Sequence, residues 1–259
     1  MVLVDKGGMP AIAPMFADMG DTLILSCLQG HMGRAWADDA VNPRAAKIVS
    51  GDFCFLAGDS EYGDAGALVA HIPEDFCSPG LIIIPEHEGW SARIEEAFGA
   101  RAERFIRYAL HKDLSGLDDE RLSRIAGQIP PEYHVVPMDA GLFEQTRREE
   151  WSKDFCSQFK DFEDYRRRGV GFVALLGDEP VSGASSYTVY DSGIEIEIDT
   201  KKEHRCKGLA AACAARLVLA CKERGLYPNW DAANKTSLGL ALKLGYRFDK
   251  EYPAYRITL

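Results

Sequence analysis

The stretch Ile194–Leu217, IEIEIDTKKEHRCKGLAAACAARL, changes its periodicity halfway along. Its first residues alternate between apolar and acidic side chains, as in a strand that turns one face toward a core. Its last dozen residues are small and helix-forming, and a basic, glycine-bearing turn joins the two halves. The stretch therefore predicts a strand that passes directly into a helix through Arg205, Lys207 and Gly208.

The turn itself suggests an anion site. The first N–H groups of a helix lack intrahelical acceptors and lie at the positive end of the helix dipole. Gly208 and Ala210 leave room for a phosphate to approach those groups, and Arg205 and Lys207 add positive charge. The alternative is a polar loop that only caps an Ala-rich helix. The sequence contains neither GxxxxGK[ST] nor GxGxxG, so a Walker A loop and a dinucleotide fingerprint are excluded.

Composition narrows the partners. The 259 residues are enough for one large or two ordinary domains, and 46% of them are hydrophobic. A formal net charge of −10 disfavours duplex nucleic acid and anionic membranes, which need a basic surface. A cationic, amine-bearing substrate fits this charge, although an acidic surface also serves solubility alone.

Membrane, export and metal signals are weak. No apolar run approaches the ~20 residues of a membrane helix, and the start MVLVDKGGMP does not resemble a signal peptide, so we expect a cytoplasmic protein. The 7 cysteines are odd in number and never spaced CxxC. They are interpreted as small buried hydrophobic residues, and no metal site is expected.

Helical and strand-like patterns alternate along the chain, which predicts an α/β protein with mixed sheets. The pair Pro130-Pro131 stops helices and suits a link between domains. We therefore expect domains over residues 1–130 and 131–259.

Two motifs in the second half carry a family resemblance. The run EIEIDTKKEHRCKGLA resembles the fourth strand and pyrophosphate loop of the GCN5-related N-acetyltransferases (GNAT), with Arg205, Gly208 and Ala210 matching Arg/Gln-x-x-Gly-x-Gly/Ala. The run YPNWDAANKTSLGLALKLGYRF resembles that family's fifth strand, Asn and following helix. With WSKDF and GVGFVALL, the chain is also similar to the branch typified by zwittermicin-resistance acetyltransferases. The superfamily resemblance covers residues 131–259, and the branch resemblance extends over the chain.

The resemblance implies a GNAT fold with splayed central strands, acetyl-CoA as co-substrate, no metal, and a small-molecule amine as acceptor. It leaves the oligomeric state open between monomer and homodimer. Asn234 matches the family Asn that contacts the cofactor, but an N-cap for the next helix is an equal alternative. The other implied cofactor contacts are Ile198 and Thr200 beside the pantetheine arm and Arg205, Cys206, Lys207, Gly208, Leu209 and Ala210 around the pyrophosphate.

Acyl transfer to an amine needs a base, and two acids on the predicted strand are candidates. Glu197 is preferred and Glu195 is second, because they should point to the same side and two close carboxylates raise one pKa. Both could instead be exposed acids on a half-solvated strand. Ala241 stands where family members often carry a Tyr that protonates the thiolate. Tyr246, Tyr187 or water would have to replace that Tyr, unless no acid is needed.

The first 130 residues repeat the order of elements of an acetyltransferase half but contain no RxxGxG/A loop after a strand. We interpret them as a degenerate acetyltransferase-like domain, with a small independent α/β domain as the alternative. The missing Tyr also leaves open a second function, a non-catalytic acyl-CoA-binding sensor or scaffold.

Overall fold

A computed structural model describes residues 1–63 and 65–259 of the chain. It divides into two compact units, residues 1–107 with 251–259, and residues 108–250. The divisions fall at Arg107/Tyr108 and at Lys250/Glu251 rather than near residue 130. The closing segment belongs to the first unit because its strand hydrogen-bonds within the first sheet.

The first unit contains a seven-stranded sheet in the order β1-β2-β3-β4-β5-β12-β6. β4 and β5 are parallel, whereas β2, β3 and β4 form an antiparallel meander. β12, the last strand of the chain, pairs antiparallel with β5. The strands of this sheet are β1 (Val2–Val4), β2 (Arg34–Ala37), β3 (Ala45–Ser50), β4 (Phe53–Gly58), β5 (Gly80–Pro85), β6 (Ala102–Leu110) and β12 (Phe248–Thr258).

Four helices accompany this sheet, and one face of it packs on α3 and α4. Trp90 and Ile94 of α4 and Leu68 of α3 are buried in one core with Leu56 and Tyr255 from the sheet. Such apolar burial is the main stabilising contribution in a unit of this kind. The helices are α1 (Met9–Ile12), α2 (Thr22–Leu28), α3 (Ala65–Ala70) and α4 (Glu88–Phe98), with short 3₁₀ turns at Ala13–Phe16 and Gly99–Arg101.

The second unit contains a five-stranded sheet in the order β11-β10-β9-β8-β7. All neighbours are antiparallel except β10 and β11, which run parallel through the crossover helix α8. The strands are β7 (Tyr133–Pro137), β8 (Gly171–Leu176), β9 (Glu179–Tyr190), β10 (Gly193–Thr200) and β11 (Tyr227–Asn229).

Helix α8 lies at the centre of the second unit. It spans 15 residues, and its alanines at positions 211, 212, 214 and 215 are buried. Small side chains let a helix approach a sheet closely, which explains why this helix is Ala-rich. The helices of this unit are α5 (Asp119–Ala126), α6 (Ala140–Thr146), α7 (Phe162–Arg168), α8 (Leu209–Glu223) and α9 (Lys235–Leu244), with 3₁₀ turns at Lys153–Phe155 and Lys202–His204.

Candidate active site

The two parallel strands of the second unit part halfway along β10. Their register ends where Glu195 faces Asn229, the last residue of β11. The segment Ile196–Thr200 of β10 runs on past that point. A bulge in the β9–β10 pairing falls between Glu195 and Ile196, and bulges bend a strand and increase its twist. The central strands are therefore splayed, as expected, and the parting begins after Glu195.

Glu195 ties the strands together at the parting point. Its side chain is buried, with 5% exposure, and accepts hydrogen bonds from Asn229 Nδ2 at 2.5 Å and from the Asp231 N–H at 3.2 Å. The structure differs here from the interpretation of two exposed acids, because β11 covers Glu195. A carboxylate that accepts buried hydrogen bonds favours a structural role for this residue.

Glu197 lies two residues further along β10, beyond the end of β11. Strand alternation puts it on the same face as Glu195, and it is partly exposed. Ile198 is also partly exposed on this segment, whereas Thr200 is buried and its Oγ1 lies 2.7 Å from Ser182 Oγ. Of the two candidate bases, Glu197 is therefore the one beside the parting of the strands.

The turn between β10 and α8 presents free backbone amides. Cys206 has φ +62° and Gly208 has φ +83°, so left-handed residues stand on both sides of Lys207. Within residues 1–63 and 65–259, no acceptor is hydrogen-bonded to the amides of residues 206–211, and the first bond of the helix runs from Ala212 N–H to Gly208 O. Such a run of amides at a helix N-terminus is a favourable anion site.

Side chains fix this turn from both ends. Arg205 Nε donates to Thr200 O at 3.0 Å, which binds the turn to the end of β10. Lys207 Nζ donates to the hydroxyl of Tyr133 at 2.8 Å. A Cβ on Gly208 would lie 3.1 Å from Gln128 O, so chain packs against one side of this glycine. Leu209 is buried and can offer a ligand only its backbone, whereas Ala210 is partly exposed.

Asn234 is the N-cap of α9. Its Oδ1 accepts the Ser237 N–H at 2.9 Å, which is the capping alternative considered for this residue. The residue is exposed, and its Nδ2 remains as the group that a cofactor could contact.

The tyrosines considered as proton donors differ in their surroundings. Tyr246 is buried and its hydroxyl donates to Pro228 O at 2.7 Å, while burial raises its pKa well above the usual value. A phenol in this state is a poor acid. Tyr187 is buried in β9 at the bulge, and Ala241 is fully buried in α9.

The cysteines lie mostly in the interior: all except Cys77 and Cys206 are buried. Burial raises the pKa of Cys213 and of Cys221 to about 12, which makes both thiols unreactive. Across residues 1–63 and 65–259, no group of three or more His, Cys, Asp or Glu side chains is placed to hold a metal ion. No helix in the described part of the chain is long and apolar enough to cross a membrane.

Comparison with known proteins places this architecture in a family. The model of the GNAT acetyltransferase family matches residues 13–255. The chain therefore belongs to the GNAT acetyltransferases, and the expected α/β fold class is confirmed.

Two relatives match nearly the whole chain. An uncharacterized N-acetyltransferase, YdfB of Bacillus subtilis (strain 168), is 37% identical over 247 residues, which are 90% of this chain and 89% of that protein. The crystal structure of a GCN5-related N-acetyltransferase-like protein from Streptococcus suis 89/1591 is 40% identical, with a TM-score of 0.89, covering 97% of this chain and 98% of that one. Both support an acetyltransferase.

A third comparison concerns the fold alone. A tandem GNAT protein from the clavulanic acid biosynthesis pathway has a TM-score of 0.54 at 12% identity and covers 98% of this chain and 97% of that one.

Two residues of the site have no signal in the sequence. Asn229 holds the Glu195 carboxylate, and Tyr133 supports the turn from β7, far away in the chain. The pairing of β10 with β11 would have indicated Asn229, because the two residues are directly opposite. No spacing rule connects Tyr133 to the turn.

Proposed function

We propose that the protein transfers the acetyl group of acetyl-CoA to a primary amine of a small molecule, by direct transfer in a ternary complex. The observation that carries the proposal is the run of amides at residues 206–211 without acceptors in the described chain. These amides would bind the diphosphate of CoA, with Arg205 and Lys207 adding charge. Their place directly after β10 brings that diphosphate to the splayed strands.

The pantetheine arm would follow the segment Ile196–Thr200. This segment lies beyond the end of β11, and an extended ligand can hydrogen-bond to a strand edge in the manner of an added strand. Ile198 and Thr200 would be the neighbours of the arm, and the thioester would then lie near the parting at Glu195. Asn234 would contribute through its Nδ2.

The reaction itself needs few groups. The neutral amine attacks the thioester carbonyl carbon, the C–S bond breaks, and CoA leaves as the thiolate. Glu197, directly or through a water, would accept the proton that the amine loses. Glu195 would hold the strand geometry rather than take the proton, because its carboxylate is bound by Asn229 and Asp231. With Ala241 at the usual Tyr position, water would supply the proton to the thiolate.

The first unit would be a degenerate acetyltransferase-like domain. Its β4–α3–β5 parallel crossover repeats the β10–α8–β11 crossover of the second unit. The fold similarity to a tandem GNAT protein over most of the chain supports this proposal. We propose that this unit contributes to acceptor selection rather than to cofactor binding.

A screen of amines with acetyl-CoA, with products resolved by mass, tests the proposal. Thermal shifts with CoA would be measured beside it, because a ligand that binds only the folded state stabilises that state. We expect stabilisation by CoA and at least one amine heavier by an acetyl group. Stabilisation without any acetylated product would favour the CoA-binding sensor, and no stabilisation would contradict the diphosphate site.

A further inference from the structure

Tyr133 connects two side chains of the turn that precedes α8. It is the first residue of β7 and is buried, with 5% exposure. Its hydroxyl oxygen lies 2.9 Å from His204 Nδ1 and 2.8 Å from Lys207 Nζ. Both partners come from the turn, so one phenol on another strand contacts the turn at two points.

The chemistry of the three groups fixes the direction of both hydrogen bonds. A lysine ammonium only donates, so the Tyr133 oxygen accepts from Lys207. The phenol proton is then free to point to His204 Nδ1, which must accept and therefore carries no proton. The imidazole is thus neutral with its proton on Nε2. Its ring also meets the Tyr133 ring edge-on, with centroids 5.7 Å apart.

These two contacts lie on either side of Cys206. That residue has φ +62°, a conformation that costs a non-glycine residue about 1–2 kcal/mol and persists only where the surroundings hold it. His204 and Lys207 anchor the turn before and after this residue. Gln128 O packs against Gly208 on the same side of the chain. The turn is therefore supported by β7 and the segment before it.

We propose that Tyr133 is a positioning residue for the CoA diphosphate, a role that rests on the proposed function. It holds the turn in the conformation that presents the amides of residues 206–211. It also orients Lys207, whose ammonium keeps two further N–H donors for phosphate oxygens after one is given to Tyr133. Ordering these groups before the ligand arrives lowers the entropic cost of binding.

The first test is Tyr133→Phe, which removes the hydroxyl and keeps the ring. We expect the CoA Kd from titration calorimetry to rise about tenfold. The KM for acetyl-CoA should rise by a similar factor, while kcat at saturating acetyl-CoA and the KM for the amine stay within about twofold. Tyr62→Phe, at an exposed tyrosine of the first unit, is the matched control and should leave the Kd unchanged.

The second test changes the acceptor of the phenol proton. His204→Asn can offer an oxygen in the position of Nδ1, whereas His204→Leu offers none. We expect the Asn variant to bind CoA within about twofold of the original and the Leu variant to bind about as weakly as Tyr133→Phe. The Tyr133→Phe/His204→Leu double variant should be no weaker than either single variant, because both act through one contact.

The outcomes separate this inference from the proposed function. Failure of the unmodified protein to bind CoA would contradict the proposed function itself. Binding by the unmodified protein together with an unchanged Kd in Tyr133→Phe would overturn the role of Tyr133. If Tyr133→Phe does not fold, as judged from its thermal transition without ligand, the His204 pair decides: equal affinities of the Asn and Leu variants would overturn the inference.

Discussion

Each unit of the chain contains one parallel crossover, and the two differ at the end of the first strand. In the first unit, β4 and β5 stay paired up to Leu56 and Pro85, the last residue of β5. Beyond them, the Gly58 N–H donates to Glu86 Oε2 at 2.7 Å and Gly58 O accepts from Trp90 Nε1 at 3.0 Å. The chain's own side chains thus satisfy the backbone where, in the second unit, the strands part.

The turns that follow these strands carry opposite charge. The first unit continues with DSEYGD, which contains three acids and no base, and the second with KKEHRCKG, which contains Arg205, three lysines and a single acid. Helix α3 has 6 residues, whereas α8 has 15. The comparison teaches that the crossover topology alone does not make an anion site. Free amides, positive charge and a long helix must coincide after the strand.

The largest expected effect comes from Gly208→Val. A branched side chain at φ +83° and 3.1 Å from Gln128 O should move the turn and cover its amides, so CoA should no longer raise the melting temperature. Gly225→Val, at φ +70° beyond the other end of α8, carries similar strain in open space and is the control. An unchanged CoA shift in Gly208→Val would remove the distinction between the two turns.

Glu197→Gln should lower kcat about 100-fold or more, because a positioned general base contributes about 10²–10⁴ to a rate. The CoA Kd and the melting temperature should stay the same, since the residue lies beyond the paired part of β10 and is partly exposed. Steady-state kinetics beside calorimetry would show this split. Unchanged kcat would assign the base to another group.

Glu195→Ala should lower the free energy of unfolding by about 2–3 kcal/mol, because it leaves Asn229 Nδ2 and the Asp231 N–H without this buried acceptor. Urea denaturation measures the loss. Glu223→Ala, at the exposed end of α8, should change stability by less than about 0.5 kcal/mol. Equal losses in both variants would show that the parting of the strands does not depend on Glu195.

Asp59→Ala tests the turn of the first unit. Asp59 accepts the Glu61 N–H at 3.0 Å and pairs with Arg44 at 2.7 Å on the surface, so we expect a loss of at most about 1 kcal/mol. The CoA Kd should not change. A shift in that Kd would place this turn in cofactor binding and contradict the comparison.

Cys206→Gly should have the smallest effect. Within the described chain, Cys206 is the one non-glycine residue with positive φ, and relief of about 1–2 kcal/mol of strain should exceed the entropic cost of a glycine. We expect a gain of about 0.5–1 kcal/mol in unfolding free energy. Cys77→Gly, at the other exposed cysteine, should lose stability instead. A loss in Cys206→Gly would mean that the thiol side chain stabilises the turn.

The local parts of the site were predictable from sequence, and the long-range parts were not. The period change after Ile194 predicted the strand, turn and helix, because each depends on neighbouring residues. The roles of the residues in the turn stay predictions. The burial of Glu195 depends on where β11 ends, and the support from Tyr133 depends on β7, so neither follows from local pattern. The division of the chain also escaped prediction, because the last strand pairs with β5.

That last pairing has a consequence for how the chain acquires its structure. Tyr255 and Ile257 face Ile83 and Leu81 across the β12–β5 ladder, so the sheet of the first unit lacks an inner strand until the final segment has been synthesised. Pairings between residues so distant in sequence form slowly, because a long loop must close first. During translation the nascent first unit therefore exposes an unpaired edge of β5, a surface on which chaperones and aggregation compete.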